Sequence, residues 1–524
     1  MDKALFDSLI DITQTPAAQL GKANLKLEKA RWAASIFDRY DRKLTMDIVH
    51  AVSTAAFEMA QEFAEKAVEE TGFGVAEHKK LKNEMAARYL VEFYSDEDFV
   101  NPRVHEKKKI VEIPRPAGVI FALIPSTNPI ATVNYKLLLA LMTRNAIVIS
   151  PHPAAYTSSF EAISRLIEVA ENAGAPEGAI QVLENPTIPL VEAFMTSPKT
   201  NVILATGGTP MVRSAYSSSN PAIGVGPGNI PVYVDSSAKI KLAAERIVSS
   251  KSFDNSVLCT NESVLITLPE VESSLKLALK NHKAHLCSES ETELLRRFLF
   301  HSGGFNVEAI GRSASWIAQE CGIKLSSEIR VLVAPIKCIG VEEVLSKEKL
   351  CPVLAFYVAN GRREAMSQAR AVLRIAGTGH SAAIHAEDER VVIEYSSQVE
   401  VYRVVVNSPS SQGAAGLGTN LAPTFTVGTG YFGKSSIGEN IGPQHLVHWT
   451  KIAYNNDKGV DFGSYSEIAK SFPGLLPSAP ADGVPNSSSN NPKKISENEM
   501  INTETRNELR RLIADELKNI LGKR

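Results

Sequence analysis

The sequence predicts an α/β protein with two stretches of parallel βαβ units. Short apolar runs alternate with helical patterns from residue 109 onward, which is the arrangement of such units. Helices are expected over 135–142 and 156–173, between the first predicted strands. A second α/β stretch covers 231–421. The strand candidates, all short and mostly apolar, are 119–124, 146–149, 180–183, 201–205, 262–268, 330–334 and 353–358.

The two ends of the chain differ from this middle. Residues 1–95 have apolar positions at helical spacing, which predicts a helical region, and residues 422–454 are glycine-rich and loop-like. Residues 455–495 become rich in Ser, Asn and Pro, which predicts a flexible linker. Residues 496–524 regain helical periodicity with one apolar stripe. This amphipathic helix either docks on the parent domain or binds a separate partner.

Composition excludes several classes of protein. The chain has 524 residues and a formal net charge of -2, which gives no basic footprint for nucleic acid. Its five cysteines show no CxxC pairing, so neither a disulfide framework nor a metal site is expected. The most apolar segment, 118–142, is too polar to span a membrane, and no secretory signal is evident. We expect a soluble cytoplasmic protein.

Cys259 is the candidate nucleophile. It lies some thirty residues after the glycine-rich turn at 224–229, downstream of a nucleotide-type fold. A thiol in that position suggests covalent chemistry on a carbonyl, with a nicotinamide nearby to take the hydride. A buried structural cysteine is the alternative that the residue alone leaves open.

Two turns after predicted strands carry further candidates. Thr206, Gly207 and Gly208 open a helix, where free backbone N–H groups favour a phosphate. No GxGxxG fingerprint with a downstream acidic residue follows these strands, so an ordinary Rossmann site is not supported. Asn128 follows the strand at 119–124, and its side-chain amide is suited to donate to a developing oxyanion. A turn residue before proline is the alternative for Asn128.

Taken together, these motifs resemble the aldehyde dehydrogenase superfamily, specifically its CoA-acylating branch. The resemblance covers about residues 1–454. The matching segments are 124–129 (IPSTNP), 206–209 (TGGT), 224–229 (GVGPGN), 253–259 (FDNSVLC), 348–354 (EKLCPVL) and 377–381 (GTGHS). The implied fold is aldehyde dehydrogenase-like. Its parts are a Rossmann-type cofactor domain over 1–230 with a hairpin near 107–116 for oligomerisation, an α/β catalytic domain over 231–421 and a small oligomerisation element over 422–454.

The resemblance also implies the roles of individual residues. Cys259 attacks the aldehyde, Asn128 with the Cys259 backbone N–H holds the oxyanion, and His380 tunes Cys259 or the incoming thiol. Glu348 positions the nicotinamide ribose. The cofactor-binding residues it implies are Ser126, Thr127, Ser150, His152, Thr206, Gly207, Gly208, Gly226, Pro227 and Glu348.

Two departures from hydrolytic relatives bear on the reaction. Their water-activating glutamate corresponds to Gly224 here, so the thioester is expected to persist until coenzyme A takes the acyl group. Their Lys-Pro-Ser-Glu segment, which grips the adenosine ribose, corresponds to residues 150–153, SPHP. The loss of lysine and glutamate leaves the choice between NAD, the expected cofactor, and NADP open.

The expected activity is oxidation of a short-chain aldehyde, propionaldehyde or acetaldehyde, to its acyl-CoA. Alternatives are an acylating enzyme for sulfoacetaldehyde, a hydrolytic dehydrogenase, and a non-enzymatic scaffold acting through residues 496–524. The linker and terminal helix resemble encapsulation peptides of bacterial microcompartments of the glycyl-radical type. Shell proteins or co-packaged enzymes are therefore expected partners, inside a microcompartment in the bacterial cytoplasm. The family usually forms dimers or tetramers.

Overall fold

The computed structural model of the protein describes residues 16–301 and 304–470. The predicted α/β fold class is confirmed in this part of the chain, where two parallel sheets lie at 119–225 and 230–406. The predicted strand candidates form strands, with bounds that differ by at most one residue at either end from those expected. The predicted helix 496–524 and most of the predicted linker lie outside the described residues.

The N-terminal region is helical from Pro16 to Phe93 with short breaks. Asp41 caps the second helix, because its side chain accepts a hydrogen bond from the backbone N–H of Leu44. The helices of this region are α1 (Pro16–Phe37), α2 (Arg42–Glu58), α3 (Ala60–Thr71), α4 (Ala76–Glu84) and α5 (Leu90–Phe93), with a π-helical turn at Met85–Tyr89. Helix α4 packs against the loop that carries Cys259.

A small antiparallel sheet follows. Strands β1 (Arg103–His105) and β2 (Ile110–Pro116) form a hairpin, and the late strand Val447–Ala453 pairs along the whole of β2. The hairpin overlaps the predicted oligomerisation hairpin at 107–116. Its role between subunits stays a prediction.

The first parallel sheet has five strands. They are β3 (Val119–Leu123), β4 (Ala146–Ser150), β5 (Ile180–Val182), β6 (Val202–Thr206) and β7 (Ala222–Val225), in the spatial order β5-β4-β3-β6-β7. The helices between them are α6 (Pro129–Met142), α7 (Tyr156–Asn172), α8 (Ile188–Thr196) and α9 (Thr209–Ser217). Helix α6 begins six residues earlier than expected, because Pro129 is compatible with the first turn of a helix.

The second parallel sheet has seven strands. They are β8 (Ile230–Val234), β9 (Glu262–Thr267), β10 (Ala284–Leu286), β13 (Val331–Pro335), β14 (Val353–Val358), β15 (Ala382–His385) and β16 (Val404–Val406), ordered β10-β13-β14-β9-β8-β15-β16. A short ribbon, β11 (Phe300–His301) and β12 (Gly304–Phe305), lies outside the sheet. The helices are α10 (Ile240–Ser252), α11 (Pro269–Asn281), α12 (Glu289–Leu299), α13 (Ala314–Glu320), α14 (Arg362–Ile375), α15 (Glu389–Gln398) and α16 (Ser410–Gly413).

Residues 422–446 are mostly irregular, as the glycine content predicts, and lead into strand β17 (Val447–Ala453). The described part of the predicted linker, 455–470, is mostly exposed and contains one short helix, α17 (Ser466–Lys470). Among the described residues, no helix combines the length and the hydropathy that a membrane span requires.

Candidate active site

The candidate site is a cavity of about 230 Å³ at the carboxyl ends of the first sheet. Loops that follow β3, β6 and β7 supply one wall, since the carboxyl ends of parallel strands meet at one edge. The loop before β9 supplies the opposite wall. Eleven of the thirteen predicted site residues line this cavity: Ser126, Thr127, Asn128, His152, Thr206, Gly207, Gly208, Gly226, Pro227, Cys259 and Glu348.

Cys259 lies on a loop with an unusual backbone. Asp254, Asn255 and Ser256 all have positive φ, of 49°, 48° and 66°. Such conformations cost about 1–2 kcal/mol per residue without glycine, so the loop is held in place from outside. The Asp254 backbone N–H donates to His78 Nδ1 at 2.9 Å, and Asn255 Nδ2 donates to the Gly311 carbonyl at 2.8 Å. Cys259, the candidate nucleophile, therefore follows a turn that neighbouring segments hold in place.

Gly228 allows the two walls to meet. A Cβ at this position would lie 1.9 Å from the Cys259 carbonyl oxygen, so no other residue fits. The Gly228 backbone N–H also donates to Glu348 Oε1 at 3.1 Å. The loop after β7 thus packs closely against Cys259 and is hydrogen-bonded to the carboxyl of Glu348.

The electrostatics of the site favour a neutral thiol in the free enzyme. Burial, with a contribution from Glu348, raises the pKa of Cys259 to about 12, although Arg403 acts in the opposite direction. Burial also raises the pKa of Glu348 to about 8, so this carboxyl is largely protonated at neutral pH. A cationic group entering the cavity would favour the thiolate.

This arrangement predicts how Cys259 reacts with a neutral alkylating reagent. Because its pKa is well above the ordinary thiol value, the thiolate fraction rises about tenfold per pH unit from pH 7 to pH 9. We expect the rate of iodoacetamide labelling of Cys259 to rise in the same proportion, measured by mass spectrometry in a Cys338→Ala background that removes the exposed thiol. A rate that levels off near pH 8.5 would contradict this electrostatic account.

Asn128 lies directly before helix α6, and its side-chain amide is beside the loop that carries Cys259. Its Nδ2 donates to the Val257 carbonyl at 3.1 Å, two residues before Cys259. Its Oδ1 accepts a hydrogen bond from the buried ammonium of Lys82. Asn128 and Cys259 line the same cavity, and Nδ2 also donates to Thr127 Oγ1 at 3.3 Å. To bind an oxyanion, Nδ2 would exchange one of these two contacts for the new acceptor.

The glycine loop after β6 fits a dinucleotide. A Cβ built at Gly207 or Gly226 meets nothing within 4 Å, so both positions border open space in the cavity wall. Gly207 and Gly208 precede helix α9, whose first N–H groups suit a phosphate. A second cavity of about 340 Å³ shares Pro125, His152 and residues 206–208 with the first. The two cavities are thus adjacent, and together they suit a nicotinamide dinucleotide.

Two predicted site residues lie outside the first cavity. Ser150, at the end of β4, lines the second cavity instead, on the cofactor side. His380 lines neither cavity: its side chain is buried, and Nδ1 is 3.2 Å from Ser381 Oγ. Burial and Arg403 lower the pKa of His380 to about 3, so the imidazole is neutral. The expected role of His380 in tuning Cys259 or the incoming thiol stays a prediction.

Gly224 is not the position that faces the cavity. A Cβ there would lie 2.8 Å from Val212 Cγ1 and 3.1 Å from Tyr216 Cε2, on the side of helix α9. Its neighbour Val225 lines the cavity, because successive residues of a strand point to opposite faces. The interpretation that assigned the missing base to Gly224 is therefore corrected: the position that faces the cavity carries valine.

Sequence reasoning missed several residues that build the site. Arg403 donates to the carbonyls of Gly379, His380, Gly428 and Gly438, and so joins the GTGHS loop to the glycine-rich segment after residue 422. Lys82 and Lys79 on helix α4 bind Asp254 of the cysteine loop. The only signal of this cluster in the sequence was the pair of lysines three residues apart. Asp254, the acid that they bind, lies 172 residues after Lys82.

Comparison with known proteins defines the class. The model of the aldehyde dehydrogenase family matches residues 10–291, and the chain belongs to this family. It is 37% identical over 434 residues to an aldehyde-alcohol dehydrogenase of Clostridium acetobutylicum, covering 82% of this chain and 50% of that protein. It is 33% identical over 444 residues to an acetylating succinate-semialdehyde dehydrogenase of Clostridium kluyveri, covering 84% and 97%. The chain thus spans about half the length of the first relative.

Solved structures that are similar to this chain are also aldehyde dehydrogenases. An acetylating aldehyde dehydrogenase from Geobacillus thermoglucosidasius is 37% identical with a TM-score of 0.83, covering 86% of this chain and 100% of that one. A propionaldehyde dehydrogenase from the fucose-utilisation microcompartment of Clostridium phytofermentans is 26% identical with a TM-score of 0.75, covering 84% and 98%. A Rhodopseudomonas palustris propionaldehyde dehydrogenase solved with propionyl-CoA is also 26% identical, with a TM-score of 0.75, covering 82% and 94%. The resemblance to the acylating branch is confirmed.

Proposed function

We propose that the protein oxidises a short, uncharged aldehyde to its acyl-CoA, with NAD as the hydride acceptor. The observation that carries this proposal is the cavity wall itself, where a cysteine and an amide donor face a space with one carboxyl group. The Cys259 sulfur forms a bond to the aldehyde carbon, and Asn128 donates to the resulting oxyanion. Residues 206–208, His152 and Glu348 would hold the nicotinamide cofactor, which would supply hydride acceptance and so leave a thioester on Cys259.

The acceptor of the acyl group decides between the two reactions: coenzyme A gives acyl-CoA, and water gives the free acid. Among the described residues that line the cavity, Glu348 is the only acid, and its carboxyl is bound to the Gly228 N–H with a pKa raised to about 8. At the position that faces the cavity, Val225 supplies no base. No carboxylate is therefore placed to activate water, and His152, the one imidazole in the described lining, borders both cavities on the cofactor side. The thiol of coenzyme A is nucleophilic without a base. Coenzyme A is the acceptor that this wall favours.

The cavity wall also favours an uncharged substrate. Apolar side chains dominate the wall: Val225, Val257, Leu258, Leu350, Phe425 and Val427. Among the described lining residues there is neither lysine nor arginine, so a sulfonate or a second carboxylate would have no cationic partner. Acetaldehyde and propionaldehyde fit this wall better than sulfoacetaldehyde or succinate semialdehyde.

The cofactor side favours NAD over NADP for a similar reason. Glu192 lines the second cavity, and among its described lining residues there is again neither lysine nor arginine. A 2′-phosphate is normally met by an arginine, whereas a free ribose hydroxyl group can donate to a carboxylate. The second cavity thus offers a carboxylate that can accept a hydrogen bond from the ribose hydroxyl group of NAD. Its described lining offers no lysine or arginine for the 2′-phosphate of NADP.

A steady-state panel tests the proposed function. Aldehydes of two to four carbons, sulfoacetaldehyde and succinate semialdehyde are each assayed with NAD or NADP, with and without coenzyme A. We expect kcat/KM for the uncharged aldehydes with NAD to exceed that for the two anionic aldehydes about 100-fold, since burying an unpaired charge costs several kcal/mol. Multiple turnovers should require coenzyme A. Sustained turnover without it, with free acid as product, would establish the hydrolytic alternative.

We also propose that the protein is packaged into a bacterial microcompartment in the cytoplasm as a dimer or tetramer. The support is the amphipathic pattern of 496–524 after a polar linker, together with the similarity to a microcompartment propionaldehyde dehydrogenase. Encapsulation of a volatile aldehyde would give such packaging a purpose.

Truncation tests the packaging proposal. Deletion of residues 473–524 should abolish co-purification with co-expressed shell proteins and leave kcat within about twofold, because the cavity lies entirely within 125–427. A full-length variant with Leu512 and Ile513 replaced by serine should also fail to package, because both residues belong to the apolar stripe of the helix predicted at 496–524. Retained packaging of both variants would contradict the proposal.

A further inference from the structure

Behind Asn128 lies a buried cluster of three charged side chains. Lys79 and Lys82 of helix α4 are 3% and 4% exposed, and Asp254 of the cysteine loop is fully buried. Both ammonium groups contact the same carboxylate oxygen of Asp254, Lys79 at 3.1 Å. The other oxygen of Asp254 accepts from the Val75 backbone N–H at 2.7 Å. The cluster therefore links helix α4 to the loop of the nucleophile.

The two lysines differ in their second contact. Lys82 donates to Asn128 Oδ1, whereas Lys79 donates to the Thr127 carbonyl at 2.9 Å. An ammonium group has only donors, so the Asn128 amide must turn its oxygen toward Lys82. Its NH₂ group then has to face the other way, toward Val257 and the cysteine loop, where Nδ2 lies 3.1 Å from the Val257 carbonyl.

We propose that Lys82 is a positioning residue of the reaction, which fixes the orientation of the Asn128 amide and polarises it for oxyanion binding. This inference rests on the proposed function. A hydrogen bond from a charged donor withdraws electron density from the amide oxygen and strengthens the N–H donors at its other end. Without Lys82, the amide is free to flip and to present its oxygen to the oxyanion.

Asp254 contributes to the same arrangement, because its carboxylate contacts Lys82. Burial favours the protonated form of this carboxyl, but Lys82 and Lys79 outweigh that effect and hold its pKa below the ordinary value. Burial lowers the pKa of Lys82 to about 7, with Lys79 acting in the same direction, and the Asp254 carboxylate opposes this by favouring the charged form of Lys82. Since Asp254 also belongs to the strained turn before Cys259, one side chain sets the position of both the nucleophile loop and the residue that orients Asn128.

A double-mutant cycle tests the inference, with Lys79 as the matched control. Lys82→Met and Lys79→Met each remove one charge from the cluster, but only Lys82 contacts Asn128. The readout is the rate of the NADH burst in one turnover, which reports formation of the thioester, together with KM for the aldehyde and the labelling rate of Cys259.

We expect Lys82→Met to lower the burst rate about 10- to 100-fold in the native background and less than twofold in an Asn128→Ala background. KM and Cys259 labelling should change less than threefold. Lys79→Met should have the same fold effect in both backgrounds. Lys82→Arg, which retains a cationic donor, should keep the burst rate within about fivefold of the native rate.

An equal fold effect of Lys82→Met in both backgrounds would overturn the inference while leaving the proposed function intact. A burst unaffected by Asn128→Ala itself would instead refute both the oxyanion role and the inference. Lys82→Met leaves Asp254 paired with Lys79, so the cluster keeps one charge of each sign. If the methionine variant nevertheless fails to fold, Lys82→Gln removes the charge with a smaller loss of polar contacts, and the same comparison between the native and Asn128→Ala backgrounds then decides the question.

Discussion

Replacing Cys259 with alanine is expected to lower kcat for aldehyde oxidation by roughly 10⁶-fold, to the limit of detection. Removal of the nucleophile from a covalent catalytic unit has an effect of about this size. The cavity offers no substitute, since among its described lining residues Cys259 is the only thiol. The measurement is NADH formation with propionaldehyde and coenzyme A.

Cys338→Ala is the matched control for this loss. Cys338 is exposed and lies outside both cavities, so its removal should leave kcat within about twofold. The thermal unfolding midpoints of the two variants should be close to that of the native protein, because neither side chain fills a tightly packed core position. Substantial dehydrogenase activity in the Cys259 variant would exclude covalent catalysis at this residue and favour the scaffold alternative.

Replacing Asn128 with alanine is expected to lower kcat by about 10²- to 10³-fold, with a smaller effect on KM. Loss of one oxyanion donor in a preorganised site has this magnitude, about 3–4 kcal/mol. The effect falls on kcat because the donor binds charge that develops only after Cys259 attacks.

Asn128→Asp separates hydrogen-bond donation from packing. Aspartate has nearly the same shape and keeps an acceptor for Lys82, but it has no N–H to donate. We expect a loss at least as large as that of the alanine variant, since the carboxylate would also repel the oxyanion. Native-like kcat in the aspartate variant would show that the amide of Asn128 is not the donor.

The elements of the fold could be predicted because their signals are local. Runs such as 119–123 and 353–358 are buried strands of parallel sheets, whose apolar composition is visible without knowledge of their neighbours. The glycines at 207–208 and 226–228 mark turns by the same logic, whereas Gly224 belongs to strand β7. Strand bounds were less accurate, because hydrogen bonding to neighbouring strands decides where a ladder ends.

The parts of the site that were missed depend on long-range contacts. Lys82 and Asp254 meet across 172 residues, and burial makes their charges part of the site. The direction of Gly224 depends on the pleat of β7 and on the packing of helix α9, which place Val225 rather than Gly224 at the cavity. The motif of His380 gave no sign of its burial or of Arg403, which donates to the His380 carbonyl from 23 residues further along the chain.

The most direct test of covalent catalysis is intact-protein and peptide mass spectrometry of the enzyme mixed with propionaldehyde and NAD, without coenzyme A. The account predicts one added propionyl group (about 56 Da from its atomic composition) on the peptide that contains Cys259, at a stoichiometry near one per subunit, released as propionyl-CoA when coenzyme A is added. NADH formed in the same burst with no adduct on Cys259, or an adduct that coenzyme A fails to remove, would contradict it.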